Sequence, residues 1–375
     1  MDALPLLTGD AQSFLDKIWA SHVHVHHTDP DHLVSMLSLD DVDHLLTSTA
    51  LRAPALRIAK NGNVVPASAF TCAATLAGQP LTGLVDARKV LDLVDEGATV
   101  VLQGLHRYWP PLALLVRGLE LALGHPCQAN AYLTPPDSQG FAVHCDTHDV
   151  FLFQTYGTKQ WEVYDASGPR PVLLEPGISM YLPTGTRHAA RAQETASLHV
   201  TVGINQVTWR QVLQRLTSDL LQDGAYDGAV PAGYLSDPAQ FAEQLAQHLG
   251  QLTQQMADSD TNQVVDEQTS RFLGNRTPAL RGGLRDRLDL GRITDDTLLE
   301  RRPTAACAVL TGTERTRVLL GDRELRMPTR IEAPMRLIAA RSAVQPQDLA
   351  PWLDAESRLV LTRRLVREGL LRIVG

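Results

Sequence analysis

The stretch FAVHCDTHDVF, residues 141–151, sets two histidines, two aspartates and a cysteine within eleven positions, all of them metal-ligating types. On an extended strand, side chains two apart share a face. His144 and Asp146 therefore point one way, while Cys145 and Asp149 face away from His144 if the strand stays regular. His148 has the parity of the first pair, but three consecutive same-face ligands on a straight strand would spread over ~13 Å, too far for one ion. A further ligand must come from elsewhere in the chain. His188 is the best candidate, because MYLPTGTRH puts it just after a strand and a turn containing Pro and Gly. Two imidazoles and one carboxylate on iron(II) leave three positions open on one side, the arrangement that accommodates a co-substrate and oxygen. HxD alone is a weak motif, and its plain alternative is an exposed turn rich in hydrogen-bonding groups.

The elements around these residues decide whether they can meet. Between about 127 and 205 the pattern is short strands punctuated by turn residues, in NAYLTPPDSQG, VFLFQTYGTKQWEVYD, SMYLPTGTRH and LHVTVGI, which indicates a β-sandwich or barrel. Upstream, AQSFLDKIWA and LDDVDHLL read as short helices, the second with Asp40 or Asp41 as its N-cap. Asn61-Gly62 between apolar runs predicts a hairpin. VDARKVLDLVDEGATVVLQGL reads as helix, turn at Gly97 and strand, and PPLALLVRGLELALG as a helix stopped at Gly124. Beyond Thr208 the strand signal gives way to amphipathic helices in WRQVLQRLTSDLLQ and PAQFAEQLAQHLGQLTQQMA, with DSDTNQVVDEQTS as a polar connector. The last fifty residues give three helical patches and a short apolar strand, an order compatible with a winged helix.

A chain of 375 residues predicts one large domain with one or two smaller ones. Its net charge of -8 disfavours general nucleic-acid binding, which is driven by phosphate neutralisation, and suits a basic protein partner. No apolar run approaches the roughly 20 residues of a membrane helix and no basic start precedes an apolar core, so the expected location is the cytoplasm, with no membrane partner. Four scattered cysteines lack CxxC spacing and are expected to be inert thiols.

The segment NAYLTPPDSQGFAVHCDTHDVFLFQTYGTKQWEVYD resembles the JmjC-type ribosomal oxygenases of the cupin superfamily, iron(II)- and 2-oxoglutarate-dependent protein hydroxylases. The likeness runs from LRIAKNGNVVP and EGATVVLQGLHRYWPPL through LPTGTRHAA to SRLVLTRRLVREGLL. It implies a mainly β core, a double-stranded β-helix or jelly roll, as a catalytic domain with an N-terminal lobe over 1–205. A helical dimerisation segment over 206–275 and a winged-helix-like domain over 276–375 would follow. The family's iron ligands fall on His144, Asp146 and His188, and its basic residue for the distal carboxylate of 2-oxoglutarate falls on Lys159. Strand alternation puts Lys159 on the face of Trp161 and Val163, where an inward ammonium needs an anionic partner. Asn130 and Tyr132 match positions near co-substrate and target, and Thr201 a hydroxyl of the carboxylate pocket. Val143, Cys145 and Ile178 depart from the family pattern without removing a ligand.

The implied reaction is hydroxylation of a protein side chain, histidyl or arginyl, with a ribosomal protein as the leading substrate and a biosynthetic precursor peptide as the alternative. Lysine at position 159 tilts the reading toward a histidyl target. A non-redox metal cupin and a catalytically silent dimeric binding module are the alternatives of other classes. HVHVHH would put His22, His24 and His26 on one strand face, but such neighbours lie too far apart to chelate one ion as a trio. His106, His125 and His199 read as structural hydrogen bonders, with His199 near the site through its neighbour Thr201. Arginines in RRLVRE read as a solvated helix face, so direct nucleic-acid binding is not expected. The apolar surface of the helices over 209–257 suggests a homodimer.

Overall fold

A computed structural model describes residues 2–138, 143–165, 168–190, 194–312 and 314–374. They fall into two units, Met1–Gln206 and Val207–Gly375. The first is built on strands β1 (His24–His27), β2 (Leu56–Lys60), β3 (Asn63–Val65), β4 (Thr71–Leu76), β5 (Gln79–Val85), β6 (Thr99–Leu102) and β7 (Cys127–Thr134). These are followed by β8 (His144–Cys145), β9 (Asp149–Gly157), β10 (Lys159–Asp165), β11 (Gly168–Leu174), β12 (Ile178–Leu182), β13 (Arg187–Ala190) and β14 (Ser197–Ile204). One sheet runs β1-β12-β9-β14-β7-β6-β2-β3 and a second runs β11-β10-β13-β8. Strands β4 and β5 pair as a separate hairpin.

The two sheets face each other. Val150 and Leu152 of β9 and Ile178, Met180 and Leu182 of β12 pack on Trp161, Val163, Val172, Leu174 and Ala190 from the smaller sheet. Residues of the opposite parity, among them Phe151, Phe153, Tyr181, Val200 and Val202, form a second core with residues of the helices Ala3–Thr8, Ala11–Lys17 and Pro110–Leu123. Covering both faces of the large sheet explains why VFLF is apolar without alternation. This is the expected double-stranded β-helix, and β6, β2 and β3 prolong its larger sheet beyond β7.

Local chemistry accounts for most element ends. Asn61 and Gly62, at φ +52° and +77°, close the β2–β3 hairpin with Lys60 opposite Asn63, as two-residue turns of this type require. The helix Pro110–Leu123 stops at Gly124 in the left-handed region. One expected cap is corrected: Ser38, not Asp40 or Asp41, caps Leu39–Thr47, and Asp41 closes a capping box from the third helical position. Both aspartates lie in the first turn, where the helix dipole favours them.

In the second unit, Trp209–Leu220 and Pro238–Ala257 are helical as expected. The supposed connector is itself part of a helix, Thr261–Gly274. Asp260 caps it by accepting from the Asn262 amide, Gln263 bonds Glu267 one turn on, and Leu273 anchors it by burial. Sequence polarity masked that helix because its apolar stripe is thin. The strands Leu299–Arg301, Ala308–Leu310, Arg315–Leu319 and Glu324–Pro328 also went unread, being only three to five residues long. Leu299, Val318, Met335, Ile338, Leu361 and Leu365 form this unit's core. No described helix is long and apolar enough to cross a membrane.

The β9–β10 connection is tight. Gly157 sits at φ +61°, and a Cβ there would lie 1.9 Å from the Ala196 carbonyl oxygen. Gly157→Ala is therefore expected to lower unfolding free energy by at least about 2 kcal/mol, measured by urea denaturation.

Candidate metal centre

Strand β8 pairs with β13 in a register that sets His144 directly opposite His188. Asp146 follows β8, and one ligand atom from each of the three residues lies within 4.8 Å of the others. The Nε2 atoms of His144 and His188 stand 3.9 and 3.7 Å from the Asp146 carboxylate. The His188 Nδ1–H donates to the Thr186 carbonyl at 2.9 Å, leaving the Nε2 lone pair to face the centre. Burial also pushes the His188 pKa down, so its ring is neutral near pH 7. Among the described residues this is the one His/Cys/Asp/Glu group with such proximity. His148 lines the same cavity but turns to Gly203, and Cys145 is exposed.

A neighbouring carboxylate organises these ligands. Asp149 is fully buried at the start of β9 and accepts hydrogen bonds from the Tyr181 hydroxyl, the Thr184 amide and hydroxyl at 2.7 Å each, and Gln206 Nε2 at 2.8 Å. Thr184 belongs to the turn that supplies the Thr186 carbonyl to His188. In the same turn the Gly185 amide donates to the Asp146 carbonyl at 3.0 Å. Burial and the Asp149 carboxylate together push the Tyr181 phenol well above its ordinary pKa.

Behind the ligands lies a cavity of about 310 Å³ lined by Asn130, Tyr132, Lys159, Trp161 and Thr201 among others. Lys159 is only 5 % exposed, and its ammonium donates to the Thr134 hydroxyl at 2.9 Å with no ion pair among the described residues. Burial pushes its pKa down to about 8. Asn130 Oδ1 accepts from the Gly104 amide at 3.0 Å, which leaves its NH₂ group as the donor available to the cavity. Thr201 bonds the Tyr132 hydroxyl, and the Tyr132 ring stacks on His199 with centroids 5.0 Å apart. His199 Nδ1 and Trp161 Nε1 are buried and find no hydrogen-bond partner among the described residues. Burial, reinforced by the Lys159 charge, holds the His199 imidazole neutral.

All seven site residues singled out in the sequence thus border one cavity. Thr134 and Arg57 border it too and were missed. Strand parity with Asn130 and Tyr132 could have found Thr134, whereas Arg57 needed the knowledge that β2 extends the sheet. His199 is more than a structural bonder, because its free nitrogen lies at the cavity. His106 accepts from the Ala129 amide and His125 stacks on Trp19, both structural. His24 bonds the Thr8 carbonyl and His22 bonds Ser21, so neither joins a metal group among the described residues.

A JmjC-domain model matches residues 117–172, across β8 and the Lys159 strand. The bifunctional lysine-specific demethylase and histidyl-hydroxylase NO66 of Branchiostoma floridae is 36% identical over 154 residues, covering 39% of this chain and 25% of that protein. Human ribosomal oxygenase 1 is 36% identical over 131 residues, 29% of this chain and 20% of its own. Over residues 117–172 the chain matches the JmjC domain, and the relatives it resembles are ribosomal oxygenases. Its matches span a quarter or less of those two relatives' lengths. The fold also matches Escherichia coli ribosomal oxygenase YcfD, solved in complex with cobalt and succinic acid, at TM-score 0.58 and 17% identity over 98% of this chain and 99% of that one. YcfD has also been solved with cobalt and 2-oxoglutarate. At this identity the likeness speaks for the fold alone.

Asp149→Ala would strand the Tyr181 hydroxyl and the Thr184 and Gln206 donors. The expected cost is about 3 kcal/mol in chemical denaturation. Weakened Co(II) affinity, read from the visible absorption of the cobalt protein, is expected alongside it.

Proposed function

We propose that this protein is an Fe(II)- and 2-oxoglutarate-dependent oxygenase that hydroxylates a side chain of a protein or peptide, a histidyl or arginyl residue of a ribosomal protein foremost. One observation carries the reading: a His/Asp/His ligand set shares a cavity with a buried ammonium that has no carboxylate partner among the described residues. The donor set suits iron(II), with an open side for other ligands. The Lys159 ammonium and the two orphaned ring nitrogens suit a small diacid.

His144, Asp146 and His188 would hold the ion, and Lys159 with Thr134 would hold the distal carboxylate of 2-oxoglutarate. With iron(II) and 2-oxoglutarate bound, dioxygen would be the oxidant: one oxygen atom goes into the hydroxylated carbon and the other into succinate, with carbon dioxide released. The Asn130 amide and the Tyr132–Thr201 hydroxyl pair orient what enters beside them. Val150, Leu152 and Trp161 supply apolar walls that limit water.

The second unit fits a helical dimerisation segment followed by a winged-helix-like domain. Trp209 is 81 % exposed and Val265 62 %, alongside partly bare Leu213, Leu245 and Leu249, and this apolar surface supports a homodimer. A cytoplasmic, non-membrane setting and an acidic chain of net charge -8 suit a basic protein substrate better than nucleic acid.

Asp146→Ala is expected to abolish succinate formation that depends on iron(II) and 2-oxoglutarate. Persistence of that turnover contradicts the assignment. Lys159→Ala is expected to raise the 2-oxoglutarate KM about 100-fold, corresponding to about 3 kcal/mol, with metal affinity intact. In the wild type, the charged form of Lys159 that binds a dianion is present below its depressed pKa. Affinity for 2-oxoglutarate, measured by calorimetry on the Zn(II)-loaded protein, is therefore expected to weaken as pH rises past about 8, by up to tenfold per unit.

A further inference from the structure

The part of the cavity wall formed by β2 carries a charge to which the proposed reaction has so far assigned no role. Arg57 lies on β2 with its side chain in the cavity, and its buried Nε has no hydrogen-bond partner. The guanidinium makes no ion pair or side-chain hydrogen bond among the described residues, and Glu96, the acid at the β2–β3 end, is taken by Lys60 at 2.7 Å. Its positive charge nevertheless reaches the Tyr132 hydroxyl, favouring ionisation there against the stronger opposing effect of burial. The register Arg57↔Val101↔Tyr132 sets the two residues level, two strands apart.

Charges around the cavity are few. Arg57 and Lys159 are its lysine or arginine residues, and Asp146, a candidate ligand, is its sole carboxylate among the described lining residues. A cationic target side chain entering here would lose its water, meet Arg57 and find no free carboxylate. A side chain bearing an acceptor would instead satisfy donors that now have none.

Building on the oxygenase reading, we propose that Arg57 selects the target residue. It receives a non-cationic side chain that presents a hydrogen-bond acceptor, an imidazole, carboxamide or carboxylate, and excludes arginyl and lysyl side chains. Arg57 thereby narrows the histidyl-or-arginyl choice to the histidyl side.

The test uses synthetic peptide pools with a fixed central His, Asn, Asp, Leu, Arg or Lys and randomised Ala, Gly, Ser and Lys flanks. Gain of one oxygen is read by mass. Wild-type protein is expected to oxidise at least one of the His, Asn and Asp pools at least tenfold faster than the Leu, Arg and Lys pools. Arg57→Met is expected to raise the KM for that preferred pool at least tenfold while leaving the 2-oxoglutarate KM within twofold, and Arg57→Glu to admit the Arg pool. Independently of turnover, the Arg57 Nε–Hε resonance of the metal-free protein is expected to shift with N-acetyl-histidine methylamide and not with the arginine analogue.

Wild-type preference for the Arg, Lys or Leu pool overturns the inference. So does an equal loss over all pools in Arg57→Met, or a raised 2-oxoglutarate KM in that variant, which would assign Arg57 to the co-substrate. Peptide-free succinate formation separates the two readings. If the wild type forms succinate only from 2-oxoglutarate and iron(II) yet prefers arginyl peptides, only the Arg57 inference falls; if it forms none with or without peptide, the oxygenase reading falls with it.

Discussion

The ligand geometry depends on one buried carboxylate that is not itself a candidate ligand. Asp149 ties the start of β9, the end of β12, the turn before β13 and the segment after β14 into one hydrogen-bonded knot. Four donors from three side chains and one backbone amide compensate a charge that would be prohibitive alone in this interior. Because the knot fixes the turn that feeds β13, it fixes His188, and the β8–β13 register then brings His144 opposite. Sheet register and a polar cluster thus act together to make a chelating face from residues 44 positions apart in sequence.

Lys159 shows the opposite economy. Its ammonium is buried with a single hydroxyl partner, and the Thr134 hydroxyl in turn meets Thr99 at 3.4 Å. A charge left this bare makes the cavity a favourable place for an anion. The same burial leaves His199 and Trp161 with idle ring nitrogens. Stability surrendered here is what a binding site with fixed donors requires.

Much of this was legible from residue types. Period-two alternation placed His144, Asp146, Lys159, Trp161 and Val163 on inward faces, and the Pro and Gly of MYLPTGTRH marked the turn before His188. What sequence could not supply was lateral adjacency. Arg57 and Thr134 border the same cavity because β2, β6 and β7 are neighbours in the sheet, a fact set by long-range pairing and not by local pattern. Asp149 was read only as pointing away from the ligands, and its partners Tyr181, Thr184 and Gln206 lie 32 to 57 residues distant. In the second unit the helix Thr261–Gly274 was hidden for a different reason, since capping and one buried leucine sustain it where an apolar stripe usually would.

Gly203 carries a consequence of another kind. The His148 ring occupies the space above its backbone, with Nε2 2.6 Å from where a Cβ would be. The two positions, on different strands or loops, are sterically one unit: a side chain at the first site evicts the imidazole at the second. A substitution at Gly203 would therefore act through His148, turning its ring out of the cavity wall that it now helps to form.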